Sequence, residues 1–242
     1  MSLRTEFEKS GSWLFRHRSF LPVGAVPVIA VSLFSYHHQG LSELGQLTGL
    51  LISLVGLSVR MLTIGYAPEG TSGRNTTSQV ADELNTTGMY SMVRHPLYLG
   101  NFLIVFGLIL ALHNWAALLL AICIFCLFYE RIMFAEEAFL RQQFAAQFES
   151  WARKTPAFFP HLTGWVRPPV SFCWRTVLRR EYTGVFLITT LFFLLDFVGD
   201  SIAEGHLKID WKWTTVFVFG LLAYLALWLL KKYTRILHVK GR

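Results

Sequence analysis

Apolar residues in this chain come in long blocks, separated by short stretches where Arg, Lys, Asp and Glu cluster. Four blocks, Phe20–Tyr36, Leu44–Ile64, Trp115–Phe134 and Trp213–Leu230, approach the roughly 20 residues that cross a bilayer as a helix. Two shorter blocks, Leu97–Leu112 and Thr183–Phe197, suit tilted or partly re-entrant helices. The pattern predicts an all-α polytopic membrane protein with about six transmembrane helices. Residues 1–19 predict an interfacial helix, with Phe7, Trp13, Leu14 and Phe15 dipping into the membrane surface while Arg16 and Arg18 stay wet. Beyond the fourth block, Leu140, Phe144, Phe148 and Trp151 share one helical face. They predict a cytoplasmic amphipathic helix extending from that span until Pro156 and Pro160 stop it. Gly45, Gly49 and Ser53 recur every fourth residue in the second block, a face that permits close helix packing.

Between the second and third blocks runs a polar connection, Ala67–His95. Its length is uncommon unless the segment is functional or mobile, so it reads as a lid or as a solvated linker. Residues 161–182 are basic and broken at Pro168-Pro169. The chain therefore divides into a membrane core, residues 1–161, and an accessory part, residues 162–242, made of a basic connector and a helical hairpin.

Composition sharpens this picture. Of 242 residues, 53% are hydrophobic and 15% charged, with mean hydropathy +0.44; soluble domains carry about 25% charged residues. A disordered chain, a coiled coil and an ordinary soluble enzyme are excluded. The net charge of +7 is a matter of placement. With both termini cytoplasmic, all but Lys208 and Lys212 of the 22 Lys and Arg residues fall at the inner face, as the positive-inside rule requires. No folded basic module for nucleic acid is present. No cleavable signal peptide is expected, because a second apolar block follows the first closely. Cys123 and Cys126 form a CxxC inside an apolar helix, without a second ligand pair, so no metal site is expected. The Asn-x-Thr sequons at Asn75 and Asn85 fall on the inner side, where glycosylation is not expected.

Two segments carry candidate chemistry at that inner face. In the first, Gly88 to Asn101, Pro96 suits the first turn of a helix. It pushes His95 towards an extended conformation at the helix start. Free N–H groups there, with the fixed cation of Arg94, make an anion site. The plainer reading is an Arg that marks the inner face and snorkels to phosphates. In the second segment, Glu130, Glu136 and Glu137 stand at the membrane boundary, where ionisable groups are functional candidates by default. The alternative is an ion-pair network with Arg131 and Arg141. An anion site beside carboxylates suits a zwitterionic ligand.

The run Arg94-His95-Pro96-Leu97-Tyr98-Leu99-Gly100, preceded by Gly88-Met89-Tyr90, resembles the core motif of isoprenylcysteine carboxyl methyltransferases, a group that extends to membrane phospholipid methyltransferases. Glu136-Glu137, Leu140, Phe144, Phe148, Trp151, Phe159 and Pro160 resemble that family's second motif. The resemblance covers residues 45–161, about half the chain. It implies a helical membrane enzyme that binds S-adenosylmethionine at the cytoplasmic face, without a Rossmann domain. It implies a cofactor pocket lined by Tyr90, Met92, His95, Tyr98, Gly100, Glu136 and Glu137, with Arg94 facing the acceptor and Arg94 and Glu137 as catalytic candidates. The chain departs from the family at Ala145, often Gly, and at Phe148 and Trp151, often Tyr. Glu6–Trp13 and Thr71–Gly88 are similar to a bacterial branch of lipid A 1-phosphate methyltransferases. That points to an anionic oxygen acceptor on a membrane lipid and to a bacterial inner membrane; a prenylcysteine carboxylate or another phospholipid is the other acceptor considered.

Two rival functions share some of these features. Sterol-type membrane reductases using NADPH have a related Tyr-Leu-Gly stretch, but the intact Arg-His-Pro and Glu-Glu motifs argue against them. A non-enzymatic transporter or assembly factor would show inverted repeats or broken mid-membrane helices, and neither is apparent in the sequence.

Overall fold

A computed structural model describes residues 2–18, 24–35, 41–68, 71, 81–239 and 241. Its helices are α1 (Leu3–His17), α2 (Ala25–Ser35), α3 (Glu43–Tyr66), α4 (Met89–Met92), α5 (Pro96–Leu110), α6 (Trp115–Ala152), α7 (Trp174–Glu204) and α8 (Trp211–Tyr233). The described residues contain no strand; one isolated bridge joins Gly88 to Val166. Four helices, α3, α6, α7 and α8, are long and apolar enough to cross a membrane.

The short fifth block is corrected. The Thr183–Phe197 stretch lies inside α7, which runs 31 residues because the polar segments at both its ends are helical too. The third block is short as expected: α5 has 15 residues, followed by a tight reversal through His113, and Asn114 then caps α6. The described part of the first block is the 11-residue α2; its two ends, and most of the His37–Glu43 connection, lie outside the described residues.

The small-residue face of α3 packs on α5. Gly49 meets the Gly107 carbonyl, Gly56 meets the Gly100 carbonyl, and Ser53 Oγ donates to Ile104 O at 3.0 Å. A side chain at Gly49 or Gly56 would strike backbone, so the two helices approach this closely only without one. Leu57, Leu108, Ile109, Ile188, Phe192 and Trp213 fill the space among α3, α5, α7 and α8.

The amino-terminal helix packs part of its expected interfacial face against protein. Ser2 caps α1, and Gly11 lets it lie against the Arg131 carbonyl and Ala135 of α6. Leu14 and Phe15, expected to dip into lipid, are buried in a protein cluster with Tyr98, Phe125, Tyr129 and Ile132. Arg18 lies over the Phe15 ring, 4.0 Å from its centroid.

The amphipathic extension of α6 is not one straight helix. Ala145 sits at φ 41°, ψ −113°, between Phe144 and Phe148. Arg141 Nε pairs with Glu149 Oε1 at 2.6 Å across that break. An eight-residue separation would place them about 12 Å apart along a straight helix, so the pair fits a bend at Ala145. Phe148 is fully buried, and Trp151 Nε1 donates to Tyr90 O at 2.9 Å.

Candidate functional site

The segment between Gly88 and Pro96 is held from several sides. Gly88, at φ 60°, donates its N–H to Val166 O at 2.9 Å, a left-handed conformation that favours glycine. Val166 N donates to Ser91 Oγ at 2.8 Å, His161 N to Met92 O at 2.9 Å, and Arg94 N to Pro156 O at 2.8 Å. The stretch from Pro156 to Val166 is thus a strap laid across the motif.

On this base the two candidate segments meet. Pro96 occupies the first turn of α5, and His95 precedes it at φ −122°, ψ 61°. Glu137 of α6 accepts Arg94 Nη1 on Oε2 at 2.8 Å and pairs through Oε1 with His95 Nε2 at 3.0 Å. Glu136 Oε2 lies 3.6 Å from His95 Nδ1. The His95 ring stacks on Tyr98, with centroids 5.6 Å apart, and Tyr98 meets Tyr129 edge-on at 5.0 Å. Burial works against a charged His95, but the hydrogen bonds and charges of Glu136 and Glu137 outweigh it and hold its pKa above the ordinary value. Burial, reinforced by Glu136, pushes the Tyr90 phenol up, so it stays neutral.

These residues open onto a cavity of about 720 Å³. Its polar end is lined by Tyr90, Arg94, His95, Tyr98, Glu136 and Trp151. Its apolar end is lined by Ile104, Val105 and Leu108 of α5, Ala121, Ile124 and Phe128 of α6, and Ile188 and Leu191 of α7. Two buried polar atoms at the polar end, Arg94 Nε and Glu136 Oε2, have no hydrogen-bond partner. Buried groups of this kind are costly unless a ligand completes them.

Not every sequence candidate faces this space. Glu137 does not line the cavity; it stands behind Arg94 and His95 and orients both. Gly100 is buried against Gly56 and Arg60, where a side chain would meet α3. Met92 contributes its carbonyl to the strap and does not line the wall. Glu130 is exposed, and Arg141 pairs with Glu149 instead of the upstream carboxylates. Ala81, Glu83, Leu84 and Asn85 of the polar connection line the cavity mouth. Asn75 and most of Pro68–Val80 lie outside the described residues.

Sequence reasoning missed a second polar group in the wall: Arg60, Asn101, Tyr129 and Glu181, from α3, α5, α6 and α7. A lone Arg and a lone Glu in or beside apolar blocks were the available signal. Cys123 and Cys126 are exposed on α6, and among the described residues no group of three or more His, Cys, Asp and Glu side chains is arranged to hold a metal ion.

Four membrane-length helices, with a charged cluster at one end of a partly apolar cavity, mark a membrane protein whose cavity is polar at one end and apolar at the other. The phospholipid methyltransferase family matches residues 45–147. The nickel-cobalt-cadmium resistance protein NccN of Alcaligenes xylosoxydans is 34% identical over 154 residues, 63% of this chain and 68% of that protein. The cobalt-zinc-cadmium resistance protein CzcN of Cupriavidus metallidurans is 32% identical over the same shares. The protein-S-isoprenylcysteine O-methyltransferase of Schizosaccharomyces pombe is 34% identical over 77 residues, 32% of this chain and 33% of that enzyme. No solved structure matches. The chain belongs to the phospholipid and isoprenylcysteine methyltransferase-like family of membrane proteins.

Proposed function

We propose that the protein is an S-adenosylmethionine-dependent O-methyltransferase acting on a membrane-embedded lipid with an anionic oxygen, a lipid A phosphate being favoured. The observation that carries this reading is one cavity with two chemistries: the Arg94–His95–Glu136 end beside an aromatic wall, and an apolar end between α5, α6 and α7. The methyl donor has an amino-acid head, a sulfonium and an adenine ring. Arg94 Nε and Glu136 Oε2, buried without a hydrogen bond, suit the carboxylate and ammonium of such a head. Tyr90, Tyr98 and Trp151 suit its cationic and aromatic parts. When bound, this group supplies an electrophilic methyl to an acceptor oxygen, and the sulfur keeps the electron pair of the broken bond.

The chain's own residues bind, orient and exclude water. Glu137 is a positioning residue in this reading: it fixes the Arg94 fork and the His95 ring. An acceptor that is already an anion needs no proton removed, so no general base is required. Holding both partners in attack geometry supplies most of the acceleration. The apolar walls keep water from the acceptor and accept its hydrocarbon chain.

The topology belongs to the same proposal: six spans, with α2 and α5 as the short members, both termini cytoplasmic, in a bacterial inner membrane. The two lysines placed outside are ion-paired, Lys208 with Asp200 at 3.1 Å and Lys212 with Glu43 at 2.5 Å. Residues 1–161 form the methyltransferase core, and residues 162–242 supply the strap's end and part of the cavity wall.

The test is calorimetric titration of the detergent-solubilised protein with S-adenosylmethionine, S-adenosylhomocysteine and NADPH, followed by methyl transfer from labelled donor into extracted lipid. Saturable binding of the two adenosyl ligands, with label in a lipid, is the expected result. Binding of NADPH alone, or of none of the three, overturns it.

A further inference from the structure

Where the cavity wall turns apolar, four helices exchange side chains. Arg60 Nε and Nη2 donate to Glu181 Oε2 and Oε1 at 2.9 and 2.7 Å, a bidentate pair. Arg60 Nη1 donates to Asn101 Oδ1 at 2.6 Å. That fixes the amide, because Oδ1 must face the guanidinium. Asn101 Nδ2 therefore faces away, and donates to the Tyr129 hydroxyl at 3.2 Å. Tyr129 is thus an acceptor towards Asn101, and its own hydrogen points elsewhere. Among the described residues nothing accepts it. Three of the five N–H groups of Arg60 are used, so one hydrogen on each terminal nitrogen remains.

A structural clamp between α3 and α7 would account for the Arg60–Glu181 pair alone. Such a pair is a poor source of stability, since well-packed apolar side chains hold helices as firmly. The clamp also leaves unexplained why the network ends in a donor on the cavity wall. The Tyr129 hydroxyl, 6% exposed as a residue, feels both Arg18 and Arg60 electrostatically. The Tyr129 ring meets edge-on the Tyr98 ring that stacks on His95, while Ile104 lies one helical turn beyond Asn101 in the apolar wall.

We propose that Arg60 and Tyr129, braced by Glu181 and Asn101, form the subsite that holds an anionic oxygen of the lipid acceptor. The subsite rests on the reading of the cavity as a lipid methyltransferase site. Glu181, from the part of the chain outside the family motifs, is then a positioning residue for acceptor choice. The shared ligand chemistry is a phosphate or carboxylate on a long apolar chain.

The experiment titrates the detergent-solubilised full chain with dodecyl phosphate, N-acetyl-S-farnesylcysteine, dodecyltrimethylammonium and S-adenosylhomocysteine. The unmodified protein is expected to bind at least one anionic amphiphile and to bind the cation far more weakly; which anion binds separates phosphate from carboxylate. Tyr129→Phe, which removes one oxygen, and Arg60→Lys, which removes the fork, are each expected to weaken that binding by about tenfold or more. S-adenosylhomocysteine affinity should stay within about twofold. Unchanged amphiphile affinity in Tyr129→Phe, equal loss of both ligands, or no anionic binding to the unmodified protein overturns the proposal. Anion binding that responds to Tyr129→Phe, without S-adenosylhomocysteine binding, keeps the subsite and removes the methyl-donor reading.

Discussion

Glu137 and His95 meet across the junction of α6 and the start of α5, Oε1 to Nε2 at 3.0 Å. The same carboxylate takes Arg94 through its other oxygen at 2.8 Å. One residue therefore aims two neighbours, which explains how it matters to a cavity it does not line.

Glu137→Gln keeps the shape and removes the charge. Arg94, whose side chain is 18% exposed, loses its ion-pair partner. The variant should lose roughly 3 kcal/mol of stability, less whatever solvent reaching the pair recovers. It should bind S-adenosylhomocysteine at least about tenfold more weakly, as misaimed ligands do. Thermal unfolding and calorimetry on one preparation check both. Full affinity in the variant would remove the positioning role.

His95 gives the site a pH dependence whose sign follows from its raised pKa. Glu136 and Glu137 face the ring, Arg94 holds the other oxygen of Glu137, and Tyr98 stacks on the ring. Its stabilising contribution is complete below its unfolded value of about 6.5 and is lost as pH rises through the higher folded value. The melting temperature should fall as pH rises above about 6.5. His95→Gln should flatten that slope. An equal slope in the variant would assign the effect elsewhere.

Ala145 carries a positive φ that its side chain resists. Ala145→Gly should stabilise the protein by about 1 kcal/mol, because relief of backbone strain exceeds the added freedom of the unfolded chain. Ala145→Val should destabilise it. Denaturant midpoints compare the three, and a less stable glycine variant would mean that the break is not strained.

Gly49→Ala inserts a methyl into the Gly107 carbonyl. Backbone cannot step aside as a side chain can, so α3 and α5 must separate at a cost of about 1–3 kcal/mol. Because Arg60 and Asn101 face each other further along the same seam, binding at the cavity should weaken too. A melting temperature unchanged from the parent protein would contradict this.

The membrane helices were legible because hydrophobic runs are a one-dimensional signal, and the Gly45–Gly49–Ser53 face was legible because period four is. Arg94, His95 and the Glu136-Glu137 pair were legible as motifs. What stayed hidden is three-dimensional. The length of α7 was masked by polar ends that break hydropathy without breaking the helix. The break at Ala145 was masked by apolar spacing that continues across it. The Arg60–Glu181 pair joins residues 121 positions apart, and no local pattern couples them.

That pair also bears on how the chain is made. While the ribosome has delivered α3 through α6 but not α7, Arg60 is within an apolar helix without Glu181. A cation so placed is expensive in hydrocarbon. It must lean to the interface or stay beside the insertion machinery until the carboxylate arrives. A chain cut short before Glu181 would leave the guanidinium with Asn101 alone, so the charge balance of the seam between α3 and α5 is completed only by the last part of the chain to be made.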